Sequence, residues 1–112
     1  MAKPPEFYLQ LKKDHPEMVG AYESLGKAAR GAGPLDDQAQ ALVKLGLSIG
    51  AGMEGSTHSS VRKALAAGCS EEEIRHAVFL AVTTLGFPSM MRARAWVEDV
   101  LSTRGSLEDD PS

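Results

Sequence analysis

Residues 50–88, GAGMEGSTHSSVRKALAAGCSEEEIRHAVFLAVTTLGFP, decide the fold of this chain. They read as two helices joined by a Gly-Cys-Ser hinge. In the first half Thr57, Val61, Ala64 and Leu65 fall at helical spacing, and Gly68 supplies a left-handed stop. In the second half Ser70 stands three residues before Glu73. That is the spacing of a capping box, in which the serine accepts from the N–H of Glu73 and the glutamate reaches back to Ser70. The helix it opens is expected to run to about Leu85. Its middle, residues 77–82 (AVFLAV), is apolar on every side, and such a helix has to be covered on every side. The same stretch holds two of the three histidines, His58 and His76, and the only cysteine, Cys69.

Working back toward the N-terminus, Leu35-Asp36-Asp37 opens a third helix, with acids at the positive end of its dipole. It continues to Ile49 with almost only apolar or small residues, Lys44 and Ser48 being the exceptions. Gly46 and Gly50 each cost about 1 kcal/mol against alanine inside a helix, so close approach of a neighbouring helix is expected there. Before it, Gly31-Ala32-Gly33-Pro34 makes a flexible link. Pro16 begins a second helix carrying Met18, Tyr22, Leu25 and Ala29, and His15-Pro16 separates it from a first one that starts at Pro4-Pro5. Beyond the central stretch, Pro88-Ser89 starts a last helix to about Ser102. Met91, Ala95, Trp96 and Val100 are its expected apolar side, and Arg92, Arg94, Glu98 and Asp99 its outward one.

The expectation is therefore an all-α, six-helix domain over residues 1–104, followed by a disordered acidic tail at 105–112. A chain of 112 residues buries only roughly two-thirds of its unfolded surface. Six modest helices of this size do not readily enclose the 77–82 run, so a homo-oligomer is expected, with the third and fifth helices in contact. The net charge of −3 is small and no basic stripe is present, which argues against nucleic acid. No signal-peptide pattern and no run of about 20 apolar residues is found, so no membrane partner is expected. The single cysteine excludes an intrachain disulfide and suits a cytoplasmic location.

The segment VRKALAAGCSEEEIRHAVFLAVTTLGFP, with LDDQAQALVKLGLSIGAG before it, resembles the carboxymuconolactone decarboxylase and alkylhydroperoxidase D family over about residues 35–101. The resemblance implies an all-helical fold of the alkylhydroperoxidase D type, assembled as a homotrimer or homohexamer. It also implies one of two activities. One is peroxide reduction of peroxiredoxin type by a C-x-x-C pair with a nearby histidine and glutamate; the other is decarboxylation of a lactone acid. The two cysteine positions fall on Met53 and Ser56, the histidine position on Ser60, and the glutamate position near Ala41. A thiolate–disulfide cycle needs a low-pKa thiol and a resolving partner, and neither stands at the expected place.

For chemistry, His58 is the leading candidate. Glu54 precedes it and Arg62 follows it by four residues, along one side of the fourth helix. Glu54 there orients the imidazole and Arg62 holds an anionic substrate by a two-pronged hydrogen bond. The alternative is an ordinary, partly exposed helix histidine. His76, beside the apolar run, is a second acid–base candidate or a satisfied interface residue. Ser56 and Ser60 add hydroxyls as substrate contacts or helix caps. No metal and no cofactor is expected, because zinc sites draw on three or four ligands at recognisable spacing and the chain has no H-x-x-x-H or C-x-x-C. Cys69, just before a helix N-terminus, has a placement that lowers a thiol pKa. Three functions follow: acid–base chemistry, of decarboxylation or isomerisation type, on a small carboxylate-bearing substrate; a non-catalytic oligomer that binds a small molecule or partner; or residual peroxidase work through Cys69.

Overall fold

The capping box at Ser70 is formed in full in the protein, seen here in a computed structural model that describes residues 5–103. Glu73 N–H donates to Ser70 Oγ at 3.0 Å, and Ser70 N–H to Glu73 Oε1 at 2.8 Å. The expected tail at 105–112 and the residues before Pro5 lie outside the described residues.

All regular structure among the described residues is helical: α1 (Glu6–Asp14), α2 (Pro16–Arg30), α3 (Asp37–Gly50), α4 (Glu54–Ala66), α5 (Glu71–Leu80), α6 (Val82–Leu85) and α7 (Phe87–Leu101). The chain divides into two compact units at Leu35/Asp36. In the first, α1 and α2 pair, and the Glu23 carboxylate accepts from both Tyr8 Oη and Lys12 Nζ. In the second, Asp36 caps α3 by accepting from Ala39 N–H at 2.8 Å. Helix α4 packs against α3 and α7, and α5 against the same two. Leu45 and Ile49, Val61 and Ala64, Ile74 and Val78, and Ala93 and Val97 supply the core from α3, α4, α5 and α7 in turn. No helix among the described residues is long and apolar enough to cross a membrane.

Four local expectations change. The fifth helix does not run unbroken to Leu85. Ala81 N–H bonds to the Val78 carbonyl three residues back at 3.0 Å, and only the single turn α6 follows. Val82-Thr83-Thr84 puts three β-branched side chains in succession, which crowds a helix. On α7 the buried face is Met90, Ala93, Val97, Val100 and Leu101, whereas Met91 and Ala95 are exposed; the core takes the i, i+3, i+7 stripe one residue earlier than expected. Beyond their own helix turn, a Cβ on Gly46 or Gly50 would meet nothing within 4 Å, so no other helix among the described residues approaches them. Finally, burial and the nearby Glu73 and Asp36 carboxylates push the Cys69 thiol up, overriding the lowering expected from the helix N-terminus.

Gly68 is one of three glycines, with Gly52 and Gly86, whose backbone has positive φ. Its φ is +93°, and a Cβ there would lie 2.9 Å from Gln38 Nε2. Gly68→Ala is expected to destabilise the fold by about 1–2 kcal/mol in urea unfolding, the cost of the left-handed conformation for an L-residue. Adding Gln38→Ala should recover only the steric part.

Candidate functional site

Helix α4 carries two polar clusters on opposite sides. Ser56 and Ser60, one turn apart, face α3, where Ser48 Oγ lies 2.7 Å from Ser56 Oγ and 3.1 Å from Ser60 Oγ. His58, about 200° around the helix from Ser56, faces α7, and its Nε2 lies 3.1 Å from Asp99 Oδ2. The residues expected to share one pocket are thus split. Glu54, His58 and Arg62 keep to one side; Ser56 and Ser60 belong to a hydroxyl network between α3 and α4.

The partner of His58 also differs from expectation. Its hydrogen bond goes to Asp99 rather than Glu54, because the packing of α7 on α4 brings in a carboxylate 41 residues downstream. Asp99 is still 58% exposed, as its outward assignment required, while the His58 side chain is only 21% exposed. Glu54 stays close: one donor atom from each of Glu54, His58 and Asp99 lies within 4.8 Å of the others. An ionised carboxylate only accepts, so Nε2 carries the hydrogen toward Asp99, and the neutral ring keeps its lone pair on Nδ1. That arrangement can take up and return a proton.

Ser48 and Asp99 are the two residues that spacing along the chain did not single out as site members. Ser48 had a local signal, a lone hydroxyl in an otherwise apolar helix; it is 7% exposed and is satisfied by its two serine partners. Asp99 had none.

His76 lies elsewhere. It is exposed and lines a groove of about 550 Å³ between α3 and the α5–α6 segment. Leu42, Val43, Ile49, Ala77, Leu80 and Leu85 make most of its wall, with Glu73, His76 and Thr84 as the polar members. His58 is not among its lining residues.

Arg75 fastens α5 to α7. Its Nε and Nη2 donate to the two Glu98 oxygens at 2.9 Å each, and Glu71 lies 3.4 Å away. Hydrogen bonding from Arg75 holds the Glu98 carboxyl below its ordinary 4.5. A lowered carboxyl pKa contributes stability above the unfolded value and loses it as pH falls through the folded one. Glu98→Gln should therefore lower the thermal midpoint at pH 7, with the difference from wild type closing as pH falls below 4.5 and Glu98 is protonated. The pair is part-exposed, so the effect is modest and shrinks in salt.

The model of the carboxymuconolactone decarboxylase family matches residues 16–99. The chain belongs to this family. The match takes in α2, which the resemblance at 35–101 left out, and ends at Asp99, the partner of His58. No match was found among curated proteins or among solved structures. At the positions where the peroxidase type of the family implies a C-x-x-C pair, Met53 is exposed and Ser56 is bonded to Ser48. The one thiol, Cys69, is 4% exposed, with its Sγ 3.8 Å from the Gln38 carbonyl oxygen.

Proposed function

We propose that the protein is an acid–base enzyme of the carboxymuconolactone decarboxylase family that works on a small carboxylate-bearing substrate, by decarboxylation or isomerisation. The observation that carries this reading is the His58–Asp99 hydrogen bond, which fixes the ring of a mostly covered imidazole and leaves Nδ1 as base. His58 takes a proton from the carbon next to a carbonyl, the electron pair passes to the carbonyl oxygen, and the imidazolium returns the proton at a neighbouring carbon. In a decarboxylation the bond to the carboxylate breaks instead, its electron pair passes to the carbonyl as carbon dioxide leaves, and His58, protonated beforehand at Nδ1 by solvent, gives that proton to the carbon. Asp99 is the positioning residue, and Glu54 stands beside the same ring. Arg62, half-buried one turn along α4, holds the substrate carboxylate. Thiol peroxide reduction is not part of this reading, since the single thiol is buried and pushed toward its protonated form.

The reading includes self-assembly as a homotrimer or homohexamer through α3 and α5. Val43 is 51%, Leu80 63% and Leu85 37% exposed on the single chain and all three line one groove; exposed apolar surface gathered in this way marks an interaction site. The groove beside His76 is where a non-catalytic binder would hold its ligand; in the assembled protein a neighbouring chain covers that face.

The test is proton exchange. Small lactone and keto acids are incubated with the protein in deuterium oxide and followed by NMR for loss of the signal next to the carbonyl and for carbon dioxide release. His58→Gln should cut both by at least about a hundredfold, and a His58→Gln protein as active as wild type would overturn the proposal.

A further inference from the structure

We propose that Glu54, His58 and Asp99 form a binding site for a divalent transition-metal cation of the zinc or cobalt class. The three residues present one imidazole nitrogen and two carboxylate oxygens, all within 4.8 Å of one another. Around a cation bonded at about 2.1 Å, neighbouring ligand atoms stand about 3.0–3.4 Å apart. His58 Nε2 and Asp99 Oδ2, at 3.1 Å, already stand at that separation, and Nε2 becomes a ligand once the ring carries its hydrogen on Nδ1 instead. Glu54 is exposed, at the start of α4.

Charge favours the same occupant. Two carboxylates this close repel each other, and a cation between them converts the repulsion into attraction. The imidazole distinguishes the group from a patch of surface acids. A mixed nitrogen and oxygen set suits zinc, cobalt or manganese, whereas calcium and magnesium prefer oxygen alone. Glu54 and His58 stand four residues apart on one helix, the spacing at which helical metal sites present two ligands side by side. Asp99 completes the chelate from α7. Three protein ligands leave at least one position open to water or substrate. Spacing along the chain gave only two of the three ligands, because the third comes from 41 residues beyond His58.

The cation and the proton use the same electrons. A neutral imidazole has one lone pair, and once a metal takes it no nitrogen of His58 remains as base. Metal uptake therefore switches off the proton shuttle; this consequence rests on the acid–base reading, whereas the metal site does not.

The test is a titration of the full chain with cobalt(II) alone at neutral pH, followed by visible absorption and by paramagnetic shifts of the histidine ring protons. One cobalt per chain is expected, with the His58 signals shifted and the His76 signals unmoved. Glu54→Gln and Asp99→Asn should each weaken uptake at least tenfold and His58→Ala should remove it, all three keeping the wild-type circular dichroism. Glu72→Gln, an exposed carboxylate elsewhere, should change nothing. No uptake at millimolar cobalt, or uptake undiminished in His58→Ala, would overturn the site. Cobalt uptake by a protein that exchanges no substrate proton would remove the acid–base reading and leave the metal site standing.

Discussion

His58→Gln lowers the rate of substrate proton exchange by about 10²–10⁴-fold, the usual contribution of a positioned general acid–base group, with little change in the thermal midpoint. The expectation separates chemistry from folding because of where the ring sits. His58 is outside the hydrophobic core and its hydrogen bond runs to an aspartate that is itself largely in water, so its removal opens no buried cavity and strands no buried charge. Asp99→Asn tests the neighbouring step. The asparagine side chain fills the same space but no longer requires a hydrogen on Nε2, since an amide both donates and accepts. The ring is then free to carry its hydrogen on Nδ1, where it is no base. The exchange rate should fall while substrate affinity holds. Arg62→Met should do the reverse, raising KM for carboxylate substrates with a smaller effect on kcat. If Asp99→Asn and Arg62→Met changed the same parameter in the same ratio, the separate roles given to them would be wrong.

The fold was legible wherever the sequence acts locally. Asp36, Ser70, Gly68 and the His15-Pro16 break each satisfy or forbid hydrogen bonds within a few residues, and each stands where its neighbours alone would place it. The periodicity of α4 also sufficed, since Thr57, Val61 and Ala64 are all buried. The α7 face was less clear. Met90, Met91, Ala93 and Ala95 offer two apolar stripes one residue apart, and only packing against α4 and α5 selects between them. Half of the candidate site was legible for the same reason: Glu54, His58 and Arg62 share a side of one helix whatever the rest of the chain does. Asp99 was not, because nothing near it in sequence foretells which charge on α7 turns toward α4. Ser56 and Ser60 show the opposite error, since closeness to His58 along the chain becomes the opposite side of a helix in space.

Leu80→Arg is expected to dissociate the assembled protein, raising the dissociation constant by 10³-fold or more while each chain stays folded. Two terms act together. Burying a leucine side chain at an interface contributes about 1.5–3 kcal/mol, which the substitution removes. An arginine without a partner in the same place adds a desolvation cost of several kcal/mol. At about 1.4 kcal/mol per decade of affinity, even the lower end of that sum exceeds three decades. The isolated chain is indifferent, because Leu80 is 63% exposed there and takes no part in the buried core. Gly46 gives an independent handle on the same face. It lines the groove with Leu80, and a Cβ added to it meets nothing within 4 Å. Gly46→Leu therefore improves helix propensity by up to about 1 kcal/mol in the single chain while filling the space a neighbouring chain would enter. Loss of assembly in light scattering with the helical circular dichroism retained is the expected pair of results. A wild-type protein that scatters as a monomer at micromolar concentration would sink the argument, because Val43, Leu80 and Leu85 would then face water with nothing to cover them.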